Sequence, residues 1–196
     1  MKWEILERTL CYQGFFRLER LLLRHALFGG GETPPLVREL VWRADAVAVL
    51  PYDPRRDAVV LVEQFRVGAL DNPAGPWMLE IVAGLLDEGE RREYAAARET
   101  REETGCRLLD LIPIQEYYST PGGFKERVSL YLGRVDAGEA RALSGRADED
   151  EDIRVHVMDA EEAIGRMNQG LFDSAQPIIA LQWLAAHRDL VRGRWG

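Results

Sequence analysis

Alternation of apolar and polar residues predicts a series of strands through most of the chain. Residues 37–53 (VRELVWRADAVAVLPYD) alternate into an apolar run and predict a strand that ends at Pro51. The turn DPRRD follows, and residues 58–65 (AVVLVEQF) form a second apolar run of the length of a buried strand. Further strands are predicted at 78–83, 107–118, 128–135 and 153–157.

Two helices are predicted to close the chain. Asp159 and Glu162 have the spacing of a capping box, and the helix that they open ends at Gly170. Ser174, with Pro177 in the first turn, opens the second helix. The apolar stripe of this helix comprises Ile179, Leu181, Leu184 and Leu190. Strands interleaved with helices in this order favour the α/β class, with an α/β/α sandwich around a mixed sheet.

The first thirty residues do not show a decisive pattern. Leucines in residues 18–27 recur at a spacing that could line one face of a helix, and β-branched residues are nearly absent, so propensity favours a helix there. The run GGGETPP at 29–35 is a clear break before the first alternating strand.

Residues 84–106 (GLLDEGERREYAAARETREETGC) combine a helical spacing with an unusual charge pattern. Glu99, Glu102 and Glu103 stand at i, i+3 and i+4 and therefore share one face of a helix that Gly105 can end. Like charges at this spacing cost an isolated helix about 0.2 to 0.5 kcal/mol per pair, so the cluster needs a cation against it. Hard oxygen ligands favour Mg²⁺ or Mn²⁺. The alternative is a solvated acidic face, which is the commoner situation for a Glu-rich helix.

The spacing within residues 84–106 resembles the Nudix box, and we use that name for the segment below. The positions that match are Gly84, Glu90, Arg98, Glu99, Glu102, Glu103 and Gly105. Seven fixed positions coincide by chance less than about once in ten million starting points at ordinary residue frequencies. Thr100 and Cys106 stand in slots that are aliphatic in the family, and both are small enough to pack there.

The resemblance implies a fold and an organisation for the whole chain. Residues 1–44 would form a small N-terminal β region used in dimerisation, with strands where propensity favours a helix, and residues 45–196 would form the Nudix hydrolase domain. It also implies hydrolysis of a nucleoside diphosphate linked to another group, with water attacking a phosphorus.

Roles for the box residues follow from the same resemblance. Glu99 and Glu103 are expected to bind metal together with the main-chain carbonyl of Ala83. Glu102 would ligate metal, brace the site or take part in catalysis. The residues expected to be structural are Gly84, Glu90, Arg98 and Gly105.

A run of five carboxylates, residues 148–152, offers a general base for the attacking water. Through this run the chain resembles the ADP-ribose pyrophosphatase subfamily, which implies that Glu149 is the base and that Glu151 lies near the metal. A solvated acidic loop is the better interpretation of Asp148, Asp150 and Asp152.

The subfamily resemblance also implies a substrate site. The element TPGG at residues 120–123 is by itself only a tight turn, but the segments VRE (37–39) and EQFR (63–66) accompany it. Arg66 would meet the diphosphate, while Phe15 and Arg38 would flank the adenine across a dimer interface. Glu39 would bind the substrate, and Glu126 would lie near the terminal ribose. Surface ion pairs, or a core ring for Phe15, are the alternatives.

Composition narrows the classes of partner. The net charge of −8 argues against a general nucleic-acid or anionic-membrane surface. No run of about 18 uncharged apolar residues occurs, and the acidic start favours the cytoplasm over export. Cys11 and Cys106 are expected to be buried small residues rather than a disulfide.

The sequence therefore predicts a cytoplasmic, Mg²⁺-dependent, homodimeric enzyme that hydrolyses ADP-ribose to AMP and ribose 5-phosphate. One alternative is another nucleoside diphosphate sugar pyrophosphatase of the family, for example one acting on GDP-mannose. Another is a non-catalytic ADP-ribose sensor, which retention of every box glutamate disfavours.

Overall fold

Two β-sheets organise the computed structural model, which describes residues 1–146 and 150–196. The chain divides into two units, each with its own packing. Unit 1 comprises Met1–Asp45 with Tyr117–Val128, and unit 2 comprises Ala46–Glu116 with Ser129–Gly196. The N-terminal region is thus joined by a later segment that lies far from it in the sequence.

Unit 1 contains a four-stranded sheet in the order β1-β2-β3-β9. Its strands are β1 (Trp3–Gln13), β2 (Arg17–His25), β3 (Leu36–Trp42) and β9 (Phe124–Lys125). The first three pair antiparallel, and β9 runs parallel to β3. The strands implied by the family resemblance are confirmed, and the helix favoured by propensity is wrong. Hydrogen bonding to a neighbour on each side of β2 outweighs a propensity difference of a few tenths of a kcal/mol per residue.

The larger sheet has the order β11-β12-β5-β4-β10-β8, with β6 on β5 and β7 on β4. Its strands are β4 (Ala46–Asp53), β5 (Ala58–Phe65), β6 (Trp77–Glu80), β7 (Val82–Leu85), β8 (Asp110–Tyr118), β10 (Arg127–Arg134), β11 (Leu143–Ser144) and β12 (Ile153–Asp159). The helices of unit 2 are α1 (Arg92–Thr104), α2 (Ala160–Asn168) and α3 (Ala175–Trp195). This arrangement confirms the predicted α/β class with a mixed sheet.

Strand β4 is buried along its whole length because helices cover both of its faces. Val47 and Val49 pack against alanines of α1. Tyr52 is on the other face, since successive side chains of a strand alternate. Its hydroxyl donates to Asp57, which also accepts from Arg188 of α3. Helices on opposite faces of one strand are the layers of the expected sandwich.

The apolar run at 78–83 forms two short strands instead of one. Glu80 pairs with Val62 of β5, whereas Val82 pairs with Val49 of β4, and the fully buried Ile81 lies between them. β4 and β5 pair directly only at their shared turn, so the segment between them can contact both. It thereby delivers Ala83 and the start of the box to the face covered by α1.

Several predicted boundaries are wrong for identifiable reasons. The single strand predicted from residue 37 to Pro51 is two strands in different sheets, β3 and β4. β4 also continues past Pro51, because this residue lies where β4 changes partner from β7 to β5 and no ladder donor is needed there. A further short strand that was not predicted, β11, precedes β12.

The C-terminal helices largely follow the prediction. Asp159 caps α2, accepting the backbone N–H groups of Glu161 and Glu162. α3 begins directly after Ser174, although the serine hydroxyl makes no capping hydrogen bond within the described residues. Leu190 is 67% exposed and does not belong to the apolar stripe; the buried residue at this end of α3 is its neighbour Val191.

Two further expectations concern the chain as a whole. Among the helices of the described residues, none is long and apolar enough to cross a membrane. Both cysteines are free, and Cys106 is buried as predicted, whereas the prediction is wrong for Cys11, which is exposed on β1.

Candidate active site

The acidic face of α1 is organised around Arg98. Its guanidinium donates twice to Glu90, at 3.0 and 2.9 Å, and also to Glu99 at 2.6 Å and Glu102 at 3.2 Å. A further bond to the carbonyl of Leu85 ties it to the end of β7. Arg98 lowers the pKa of Glu90. One arginine therefore fastens the loop before α1 to the helix and offsets part of the negative charge on its face.

Glu103 is the most deeply buried carboxylate of this face, with 2% of its surface exposed. Its described hydrogen bond is from the backbone N–H of Ala83, at 3.3 Å. Burial raises the pKa of Glu103 well above its usual range, the charges of Glu99 and Glu151 raise it further, and Arg66 opposes them. Burial likewise raises the pKa of Glu99, against the effect of Arg98. The negative charge of Glu99 and Glu103 is therefore only partly offset by the cations described near them.

Gly84 is needed for close approach rather than for a turn. It lies within β7, paired with Val47 of β4, and a Cβ on it would overlap the carboxylate of Glu99. The turn occurs later, at Gly89, whose φ is 78°. Gly105 ends α1 in the left-handed conformation, with φ of 77°, and its N–H bonds to the carbonyl of Arg101.

The backbone directly after β11 contacts α1. The N–H of Gly145 donates to the carbonyl of Glu102 at 3.3 Å. Glu151 and Arg146 exchange hydrogen bonds through their backbones and the Glu151 carboxylate, and the charge of Glu151 acts on both Glu99 and Glu103. The structure therefore brings Glu151 to the box. The expected base, Glu149, lies outside the described residues.

Arg66 follows β5 and reaches the same group of carboxylates. Its Nε donates to Glu80 at 2.7 Å, and its charge is among those that act on Glu103. Glu80 was not a predicted site residue. Its signal in the sequence was a single glutamate inside the apolar run MLEIVAG, where a charge calls for a buried partner.

The substrate residues expected from the N-terminal region lie in unit 1. Phe15 is 75% exposed, so the alternative of a core ring is wrong. Arg43 lies 6.0 Å from the Phe15 ring and pairs with the buried Glu126 at 3.2 Å, so one arginine joins two of the predicted residues. No local pattern marked Arg43. Arg38 and Glu39 lie in β3, opposite β2.

The donor set suits a hard divalent cation. The described ranges contain no group of three or more His, Cys, Asp or Glu side chains arranged to hold a metal ion. Glu99 is turned to Arg98 and Glu103 to the backbone of Ala83. Even so, the negative charge of the carboxylates around Glu103 is only partly offset. The candidate ligand atoms are all oxygens, which fits Mg²⁺ or Mn²⁺ rather than a metal that prefers thiolates.

Comparison with known proteins identifies the family. The model of the NUDIX domain matches residues 42–181. The ADP-ribose pyrophosphatase of Escherichia coli strain K12 is 44% identical over 98% of this chain and 92% of its own length, and that of Haemophilus influenzae is 40% identical over 98% and 90%. The GDP-mannose pyrophosphatase of Cronobacter sakazakii is 37% identical over 79% and 80%.

A solved structure described as an ADP compounds hydrolase shares the fold. Its TM-score is 0.74, with 23% identity, and the superposition covers 99% of this chain and 96% of that one. The box geometry, the family match and the extent of the similarity agree: this chain is a member of the Nudix hydrolase family.

Proposed function

We propose that this enzyme hydrolyses the diphosphate of ADP-ribose to AMP and ribose 5-phosphate, using Mg²⁺. The observation that carries the chemistry is the buried Glu103 beside Glu99 and Glu151, with Arg66 opposing their charge. Carboxylates in this arrangement suit a metal that in turn meets phosphate oxygens. Similarity to ADP-ribose pyrophosphatases over nearly the whole chain supports the choice of substrate.

The metal ligands in this proposal are Glu99, Glu103, Glu151 and the carbonyl of Ala83. When bound, the cation would neutralise diphosphate charge and lower the cost of generating a nucleophile from water. Arg98 holds Glu99 in place from the side, and Gly84 leaves the space that Glu99 fills. Arg66 binds the diphosphate through the guanidinium donors that Glu80 does not use.

Proton removal from the attacking water is assigned to Glu149, on the family resemblance. Glu102 is the second candidate, since it lies on the same helical face and is held by Arg98. Glu151 is placed as a ligand rather than as the base, because its charge acts directly on Glu99 and Glu103.

The adenine and the terminal ribose are assigned to unit 1. The exposed Phe15 and Arg38 serve the adenine, Glu39 binds the substrate, and Glu126 serves the terminal ribose. The site is shared in a homodimer, because unit 1 exposes large apolar side chains of the kind that interfaces cover. These include Trp3, Leu10, Tyr12, Phe15 and Phe28. Two free cysteines fit a reducing compartment, the cytoplasm.

The dimer assignment has its own test. A truncation that starts at Ala44 removes all but β9 of the unit 1 sheet. We expect it to lose the dimer and to lose activity on ADP-ribose, measured by light scattering and product formation. A soluble monomer with full activity would overturn the assignment.

GDP-mannose is the second candidate substrate, since a GDP-mannose pyrophosphatase is 37% identical over 79% of this chain. Incubating the protein with each sugar nucleotide and Mg²⁺, and identifying products by chromatography, decides between them. We expect AMP and ribose 5-phosphate, with a higher kcat/KM for ADP-ribose. A higher kcat/KM for GDP-mannose would favour the alternative, and ADP-ribose binding without turnover would favour a sensor.

A further inference from the structure

We infer that Glu80 is a positioning residue for the reaction: its buried carboxylate holds the Arg66 guanidinium in the orientation that meets the substrate diphosphate. The inference rests on the proposed function, in which Arg66 contacts that diphosphate. Glu80 itself touches no reacting atom and acts through the arginine.

The first support is the burial of Glu80. It lies at the end of β6 with 7% of its surface exposed. A carboxylate removed from water is costly unless it is paired and hydrogen-bonded. Its described partner is Nε of Arg66, at 2.7 Å. The arginine side chain is 41% exposed, so the buried member of the pair anchors the accessible one.

The second support is the register of the sheet. Glu80 stands opposite Val62 of β5, so both side chains lie on one face. Val62 packs in a cluster with Ala96 of α1, which identifies this face as the one that α1 covers. Arg66 has extended φ and ψ of −125° and 111°, so the alternation Val62, Gln64, Arg66 continues along the same face.

The Arg66 backbone is held as well. Its N–H donates to the carbonyl of Pro76 at 2.8 Å, next to the pair of Phe65 with Trp77. With both the backbone and Nε fixed, the remaining freedom of the side chain is small. Within residues 1–146 and 150–196, the two terminal nitrogens of Arg66 have no hydrogen-bond partner, while its charge acts on Glu103. Nε of Arg66 is therefore fixed, while its two terminal nitrogens can donate to a substrate beside the proposed metal ligands.

Glu63 provides a matched control. It precedes Gln64 on β5, points to the opposite face, and pairs with Arg154 at 3.3 Å and His156 at 2.9 Å. Glu63→Gln thus makes the same chemical change in the same pair of strands, away from α1. We expect it to leave kcat and KM for ADP-ribose at wild-type values.

The test is a double-mutant cycle on Glu80→Gln and Arg66→Ala, with ADP-ribose and saturating Mg²⁺. Glu80→Gln should lower kcat/KM about tenfold, mainly through KM, since the loss of a charge-assisted hydrogen bond releases the arginine. In the Arg66→Ala background the same change should have no further kinetic effect. It should instead raise Tm by several degrees, because Arg66→Ala leaves Glu80 buried and unpaired.

Equal kinetic losses from Glu80→Gln with and without Arg66 would overturn the inference, as would wild-type kinetics of Glu80→Gln. The proposed function fails separately, if the wild-type protein does not cleave ADP-ribose. The cycle is then run on the sugar nucleotide that the protein does cleave, and the Tm coupling is measured without any substrate.

Discussion

Two of the acidic groups that the structure describes in unit 2, one around Asp57 and one around Glu103, differ in what neutralises them. Asp57 lies in the turn between β4 and β5, at a φ of 54°. It accepts the hydroxyl of Tyr52 at 2.6 Å and two bonds from Arg188 Nε at 2.9 and 3.1 Å, and Arg192 lies 3.4 Å away. Arg188 lowers the pKa of Asp57 below its usual range, against the effect of burial.

The group around Glu103 has the opposite balance. Its carboxylate is more deeply buried than that of Asp57, yet its described hydrogen bond comes from a backbone N–H. Burial, Glu99 and Glu151 together raise its pKa, and Arg66 offsets only part of this. Arg98 contacts Glu99 and Glu102 but is also committed to Glu90.

The comparison separates an acid cluster that is structural from one that we propose is functional. Both groups lie in one unit, and in both several charged side chains interact. Around Asp57 the chain supplies its own cations, so the cluster stabilises the ionised state and joins α3 to the β4–β5 turn. Around Glu103 the cations that the structure describes offset the carboxylates only in part, and for this reason we propose that an external cation binds there.

The largest expected effect is on the group around Glu103, whose carboxylates the described cations offset only in part. Glu99→Gln or Glu103→Gln should lower kcat on ADP-ribose by at least about 10³-fold with Mg²⁺ as the only metal, since each change removes a charged ligand from a catalytic cation. Steady-state kinetics measure it. Glu93→Gln, on the exposed first turn of the same helix, is the control and should be silent. Wild-type activity in either box variant would show that Glu99 or Glu103 is not a ligand of a catalytic metal.

The second prediction concerns the base. Glu149→Gln should lower kcat by about 10² to 10⁴ with little change in KM, which is the usual contribution of general-base catalysis. Asp150→Asn, one residue away, should do almost nothing. The double variant Glu149→Gln, Glu151→Gln shows whether Glu151 substitutes in part. If Glu151→Gln lowers kcat and Glu149→Gln does not, the general base is Glu151 rather than Glu149. If neither change lowers kcat, Glu102 is the next candidate for the base.

The third prediction addresses the self-neutralised cluster. Arg188→Ala should destabilise the fold by about 1.5 to 3 kcal/mol, less than a fully buried pair, because both partners are partly exposed. Activity per folded molecule should not change. Glu161→Gln removes a 77% exposed partner of the same arginine and should cost almost nothing.

The pH dependence of this variant has a definite sign. A lowered pKa means that the stabilisation by Asp57 is present above its unfolded value, about 3.9, and is lost as pH falls through the folded value. The difference between wild type and Arg188→Ala in urea unfolding should therefore shrink in acid. A difference that grows in acid would contradict the assignment.

Spacing along one helix made the box predictable from sequence. Glu99, Glu102 and Glu103 share a face by geometry alone, and the left-handed conformation of Gly105 follows from its lack of a Cβ. Strand β5 was also predicted with its observed bounds, because a run of eight residues, mostly apolar and bounded by turn residues, has few other solutions.

Contacts between distant segments were not predictable. Alternation fits both β3 and β4, and only pairing with different neighbours divides them between two sheets. Arg43 joins Phe15 to Glu126, residues that lie 28 positions before it and 83 after it, and no local pattern marks that contact. The roles of the unit 1 residues stay predictions until the substrate experiments are done.

The smallest expected effect is the sharpest test of the contrast. Without metal, in EDTA, Glu103→Gln should raise the free energy of unfolding at pH 8 by on the order of 1 kcal/mol, because a neutral amide replaces a buried charge.

The pKa of Glu103 is raised in the folded state, so wild type loses stability as pH rises from the unfolded value, about 4.3, toward the folded one. The gain should accordingly vanish at about pH 3, where the glutamate is protonated in both states. Adding Mg²⁺ should make wild type more stable than Glu103→Gln at pH 8, since the metal stabilises only the protein that binds it. Urea unfolding at both pH values measures all three differences, and a variant less stable than wild type in EDTA at pH 8 would show that Glu103 is already neutralised by the chain, as Asp57 is.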